Sequence, residues 1–259
     1  MRSWMMILGL LLITLTAPGT ARAGSADEVV DAMIAAHGGM EKWASAPTVH
    51  FEDEFKQGEA ESGRVSRVTV EQGPRRAYLD FPGTPMRMAW DGEKAWSENW
   101  QAPFPPRFLA LLNYYFVNLA WLAKDPGVIL GEPGTGKLFD DLTEYVTVKM
   151  TYESGVGDTP DDYYVLYIHP ETHRLKANRY IVTYEGILPE GVESTPEHIL
   201  IYDEYDTVDG LVVPTHYTIY QHDGSVYASC DVGGWSFSEA FDEARMEMPE
   251  GAVVDESAP

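Results

Sequence analysis

Met86-Arg87-Met88-Ala89-Trp90-Asp91-Gly92-Glu93-Lys94-Ala95-Trp96-Ser97-Glu98-Asn99 reads as two short strands folded back on each other at Asp91-Gly92. Asp-Gly is a tight hairpin signal, because Gly adopts a left-handed backbone freely and Asp tolerates it. The period of two continues to either side of this hairpin. Upstream, residues 78–81 extend the strand series, and Val68 and Val70 alternate with Arg67 and Thr69. Further back, Val49, Phe51 and Phe55 share one face, with His50, Glu52 and Glu54 on the other.

Downstream, Val146, Val148, Met150 and Tyr152 alternate with Thr147, Lys149 and Thr151. Residues 163–168 form the next strand, and Pro170-Glu171-Thr172 turns the chain into a long strand ending near Tyr184. A Gly- and Pro-rich loop spans 186–196. Three more strands follow at 199–205, 211–220 and from Val226, joined by Asp209-Gly210 and Asp223-Gly224. Pro214 lacks an amide hydrogen, which predicts an edge strand or a bulge. The total is roughly ten strands, with no βαβ alternation and no repeat of fixed period. The class is mainly β with helices (α+β). An acidic tail over 242–256 is expected to be loosely held.

Helical spacing occurs in two places. Ser25-Ala26-Asp27-Glu28 reads as a capping box, followed by Val29, Val30, Met33 and Ile34, and Gly38-Gly39 ends that helix. A short turn over 40–44 carries Trp43. The second helix opens at Pro105-Pro106 and closes before Lys124-Asp125-Pro126-Gly127. It is apolar nearly all round, so it is buried or buries something. Arg107, Asn113 and Asn118 argue against a membrane span.

At the N-terminus, Arg2, an apolar run from Trp4 to Leu15, and Ala21-Arg22-Ala23 follow the order of a secretory signal peptide, with cleavage expected after Ala23. Residues 24–259 are then a single exported domain. No cysteine stands at or just after the cleavage site, so no lipid anchor is expected and the destination is the periplasm or beyond. The 259 residues carry 18 Lys+Arg against 41 Asp+Glu, a net −23 that becomes −25 without Arg2 and Arg22. Such a chain is repelled by nucleic acid and by anionic lipid surfaces. The lone Cys230 excludes a disulfide framework and a cysteine-rich zinc site.

Catalytic signals are weak. Gly131-Glu132-Pro133-Gly134-Thr135-Gly136-Lys137 matches G-x-x-x-x-G-K, but Leu138 replaces the magnesium-binding hydroxyl and no helix follows. His169 and His173 flank a turn, where four-residue spacing does not bring two ligands to one helix face. No nucleophile elbow is present, and Asp231 beside Cys230 disfavours a thiolate. No enzyme activity and no cofactor are expected. A run of aromatics from Trp90 to Trp121 suits either a plain core or an apolar cavity between sheet and helix. The candidate cavity and lid residues are Trp90, Trp96, Phe108, Leu112, Tyr115, Phe116, Leu119 and Trp121.

Gly73-Pro74-Arg75-Arg76-Ala77-Tyr78-Leu79-Asp80, followed by the Trp90–Trp96 hairpin, resembles the paired strands of the LolA-like family of periplasmic lipoprotein carriers. The helical segment after Phe104 and the closing Met248-Pro249-Glu250-Gly251-Ala252-Val253-Val254-Asp255 are similar to that family too, as is Tyr202 to Pro214. The resemblance implies an incomplete antiparallel β-barrel lidded by helices over an apolar interior that holds acyl chains. It implies a lipid or acylated lipoprotein as ligand, and a membrane-protein donor or acceptor as partner. Carriers of this type place an arginine before the proline of the second strand to hold the lid shut. Gly73 stands there in this chain, followed after Pro74 by Arg75 and Arg76. The same fold also serves as an interaction or stress-sensing module. A hydrolase with an unrecognised site remains the third reading.

Overall fold

The computed structural model describes residues 24–257. The signal-peptide reading of residues 1–23 lies outside them. Among the described residues there are three α-helices: α1 (Ala26–Ala36), α2 (Met40–Ala44) and α3 (Pro106–Leu122). Five strands precede α3: β1 (Thr48–Gln57), β2 (Arg64–Glu71), β3 (Ala77–Asp80), β4 (Arg87–Trp90) and β5 (Ala95–Glu98). Nine follow it: β6 (Val128–Leu130), β7 (Gly134–Gly136), β8 (Tyr145–Tyr152), β9 (Tyr164–Ile168), β10 (Leu175–Tyr180), β11 (His198–Val208), β12 (Leu211–Gln221), β13 (Val226–Ser236) and β14 (Val253–Val254).

All fourteen belong to one antiparallel sheet, in the order β14-β5-β4-β3-β2-β1-β13-β12-β11-β10-β9-β8-β6, with β7 also on β8. The sheet does not close: β14 stands at one end, β6 and β7 at the other. Two meanders, β1 to β5 and β8 to β13, meet at the β1–β13 seam. The link from β5 to β6 therefore joins opposite ends of the sheet. Helix α3 makes that link, packing on β2, β3, β4, β5 and β12. Its position follows from topology as much as from its apolar surface.

The alternation read from sequence holds. Val49 and Phe51 face the core together with Val68 and Val70, and Val148 and Met150 do the same on β8. The capping box forms as read: Glu28 N donates to Ser25 Oγ (3.3 Å), and Ser25 N to Glu28 Oε2 (2.7 Å). At the β4–β5 hairpin, Asp91 Oδ1 accepts from the amides of Glu93 and Lys94, both at 2.8 Å.

Several expectations are corrected. The sheet has fourteen strands, and the additional ones, β6, β7 and β14, are two or three residues long, too short to show a period. The strand expected to reach Tyr184 ends at Tyr180. Pro214 lies on β12, an interior strand between β11 and β13. Pro214 pairs with Tyr205, and the register shifts beside that pair, between Glu204, opposite His216, and Tyr205, leaving Thr215 as the extra residue. The bulge is therefore present and the edge position is not.

The acidic tail is held. Val253 and Val254 pair with Ser97 and Trp96, Asp255 N donates to Ala95 O (2.8 Å), and Ser257 Oγ lies 2.8 Å from the Tyr184 hydroxyl. The P-loop-like stretch is an edge: Gly134 and Gly136 pair with Thr147 and Tyr145 on β8. Amides engaged in a strand ladder cannot cradle a phosphate.

After α1, Gly38 has φ +102°, and a Cβ there would run into the carbonyl of Gly210. The left-handed backbone alone makes a side chain cost about 1–2 kcal/mol. Gly38→Ala is accordingly expected to lower the free energy of unfolding by at least that amount, read as a lower midpoint in a denaturant titration. An unchanged midpoint would show that the α1 end is free to shift.

A cavity between α3 and the open ends of the sheet

Proline at the first turn and the run of apolar residues after it set α3, and its faces divide the work. Leu109, Ala110, Phe116, Val117, Leu119, Ala120 and Leu122 are buried. Phe108, Leu111, Leu112 and Tyr115 recur at helical spacing on a stripe that is only half-buried. That stripe faces a cavity of about 510 Å³, inside the range of about 300–1,000 Å³ usual for small-molecule sites. The opposite wall comes from the other meander: Tyr152, Val156, Tyr164, Val182 and Tyr184. The turn before β3 and the β4–β5 hairpin supply Gly73, Pro74, Arg75, Trp90 and Gly92.

Of the eight candidate residues, Trp90, Phe108, Leu112, Tyr115 and Phe116 line this cavity. Three stand elsewhere. Trp96 points to the other face of the sheet, under the 3-10 turn Glu243–Met246, where its Nε1 donates to Met246 O (3.2 Å). Trp121 stacks on Trp43 with ring centroids 5.7 Å apart and meets His37 edge-on at 5.6 Å. Leu119 is fully buried in the core, one turn past Phe116.

Of the polar groups of the mouth, the sequence pointed to Arg75 and Arg76, without deciding between them, and not to the aspartates. Arg75, held at φ +57°, reaches from the β2–β3 turn to the end of α3. Its Nη2 donates to Asp125 Oδ1 (2.5 Å) and its Nη1 to the Tyr115 hydroxyl (3.3 Å). Burial lowers the guanidinium pKa, but the hydrogen bond and charge of Asp125 outweigh it and the net shift is upward. Arg76 instead turns outward to Glu71 and Glu243. Arg75 is thus the residue of the two that ties the turn to α3. A non-glycine residue in the left-handed region costs roughly 1–3 kcal/mol, a cost typical of functional positions.

Arg107 makes the second link. Its Nε and Nη2 grip both oxygens of Asp158 (2.6 and 2.9 Å), and Nη1 donates to Glu93 O (3.2 Å). The guanidinium lies 5.1 Å from the Trp90 ring centre. Asp255 Oδ2 accepts from the Arg107 amide (2.8 Å). Deeper in, burial raises the pKa of the Asp162 carboxyl, partly offset by hydrogen bonds from Thr183. Burial likewise raises the hydroxyls of Tyr152 and Tyr164, so both stay neutral.

On the other side of α3 lies a carboxyl the sequence placed but did not flag. Asp53 occupies the inward row of β1 after Val49 and Phe51, with 1% of its surface exposed. It accepts from Ser66 Oγ and Asn113 Nδ2, which anchors the middle of α3 to the sheet. Burial pushes its pKa up to about 6, against the pull of those bonds and of Arg64. Cys230 is fully buried nearby, and burial raises its thiol far from the reactive range. Among the described residues, no group of three or more His, Cys, Asp or Glu is placed to hold a metal ion. No helix there is long and apolar enough to cross a membrane.

No protein-family model matches the chain, and no curated protein matches it. Solved structures do. A LolA superfamily protein from Nitrosomonas europaea superposes with a TM-score of 0.53 at 12% identity, over 87% of this chain and 99% of that one. A DUF1329 family protein from Desulfovibrio piger gives 0.54 at 10% identity, over 86% and 97%. A putative outer membrane lipoprotein-sorting protein domain from Vibrio parahaemolyticus gives 0.51 at 10% identity, over 85% and 96%. Likeness at such identities shows the fold, and the fold is the LolA-like open barrel. The fold is shared at an identity of 12% or less with each of the three.

Proposed function

We propose that this is an exported binding protein that holds an acyl chain, of a lipid or of an acylated lipoprotein, in the cavity beside α3. One observation carries the reading. Phe108, Leu111, Leu112 and Tyr115 pack on the core along one side and stay only half-buried on the other, where they line a cavity of about 510 Å³. Burial of each CH₂ is worth about 0.8 kcal/mol, so a chain of roughly a dozen carbons binds without a catalytic group. The name of the Vibrio protein, a lipoprotein-sorting domain, agrees in kind with that ligand. Arg75 fills the role of the latch, fastening the helix that the ligand must pass.

The direct test is mass spectrometry of lipids extracted from natively purified protein, together with displacement of a fluorescent acyl probe. A co-purified acyl lipid near one per chain supports the reading. An empty protein that takes up no probe sinks it, and favours an interaction module of the same fold. Export is tested separately: the recovered protein should begin at Gly24.

Arg75→Ala offers a further check. The substitution removes the Asp125 and Tyr115 bonds without touching the apolar stripe. Probe association is expected to quicken several-fold, and amide exchange at the C-terminal half of α3 to rise. Unchanged association and unchanged exchange would show that Arg75 does not gate entry.

A further inference from the structure

Five charged side chains line the cavity: Arg75, Arg107, Asp125, Asp158 and Asp162. Both cations are already bound. Arg107 spends its Nε and Nη2 on Asp158 and its Nη1 on a backbone carbonyl. Arg75 spends its Nη2 on Asp125 and its Nη1 on Tyr115. The nearby Lys124 is engaged by Asp27 and Asp31. Carboxylates, in contrast, are in excess. Asp255 adds a further one at the mouth, beside the Arg107 amide, and the chain as a whole carries −23.

An anionic head arriving here would find no free guanidinium. Each guanidinium charge is already balanced by an aspartate, so an added anion brings a further negative charge into a field that is already negative. A head with hydroxyls meets the opposite situation. A carboxylate has about four acceptor sites, and the arginines occupy only some of those on Asp125 and Asp158. A hydroxyl donor can use the others while both ion pairs stay intact.

Resting on the acyl-binding reading above, we propose that the cavity mouth selects acyl ligands whose polar end is uncharged and donates hydrogen bonds, and turns away those ending in a carboxylate. Asp158 is the residue that sets this preference, because it keeps Arg107 from acting as an anion site.

The experiment compares 1-monolauroylglycerol with laurate, which share one chain length, as competitors of a fluorescent acyl probe at pH 8. The glycerol ester is expected to bind at least tenfold more tightly, and the gap to narrow as salt is raised from 20 to 500 mM through screening. Asp158→Asn frees Arg107, and should move the ratio at least fivefold toward laurate. Laurate binding as tightly as the ester to the natural protein overturns the selectivity while leaving acyl binding intact. Failure of both ligands and of the probe overturns the acyl-binding reading, and the selectivity with it. The ratio measured on the natural protein decides the matter even if Asp158→Asn does not fold.

Discussion

Phe116→Asp is expected to unfold the protein or bring it close to unfolding, while Leu112→Asp, one turn earlier on α3, leaves it folded and abolishes probe binding. Phe116 lines the cavity, but its ring is 5% exposed and sits 5.1 Å from Tyr180 and 6.3 Å from Tyr217, ring centre to centre. Its carbonyl accepts from the Tyr202 hydroxyl at 2.5 Å, so the backbone there is part of the core as well. Truncating such a phenylalanine costs about 3–5 kcal/mol, and burying an unpaired carboxylate adds several more. That is of the order of the whole stability of a domain, about 5–15 kcal/mol. Leu112 is half-buried, and a carboxylate there can reach the water of the open mouth. Denaturant titration and probe binding on both variants test the contrast. A Phe116→Asp protein as stable as the parent would mean that the cavity reaches much deeper behind α3.

Asp53→Asn is expected to stabilise the protein at pH 8 by up to about 3 kcal/mol, and to do nothing below about pH 4. The carboxyl has an ordinary value of 3.8 when unfolded and about 6 when folded. Between those values the folded state binds more protons than the unfolded state, so this group's contribution to stability falls as pH rises through that window. Above it the full penalty of a buried anion remains. Asparagine carries no charge, and its oxygen can still accept from Asn113 while its amide donates to Ser66 Oγ. Urea titrations of the two proteins at pH 4, 6 and 8 should diverge progressively. A variant that is less stable at pH 8 would show that Arg64 and the two hydrogen bonds compensate the charge in full.

Most of the fold was legible because the strands that build the sheet are long enough to alternate. On β1 the row of Val49, Phe51 and Phe55 was read, while Asp53, which stands in the same row, was not. The cavity was legible in part, for a geometric reason. In the β4–β5 pairing Ala89 stands opposite Trp96, and Trp90 opposite Ala95. The two tryptophans therefore point to opposite faces of the sheet, and residue type alone cannot tell which faces inward. On α3 the same holds for Trp121, whose six-residue offset from Tyr115 turns it toward α1 and α2. Of the mouth, the sequence pointed to the Arg75-Arg76 pair, but its ion pairs were not legible because they join distant positions, as Arg107 with Asp158 and Arg75 with Asp125. A second trace existed. An arginine in the first turn of a helix opposes the helix dipole, and so signals acidic partners brought from elsewhere in the fold.

The seam between β1 and β13 bears on how the chain reaches this structure. Each meander is built from neighbours in sequence and can begin to pair early. The seam joins positions such as Lys56 and Asp231, 175 apart and bonded at 2.6 Å. Closing so long a loop precedes any gain from the contacts it brings, which slows folding. During synthesis β1 therefore waits, paired on one side only, until β13 has emerged. The cavity takes its walls from both meanders, so it exists only once that seam has closed.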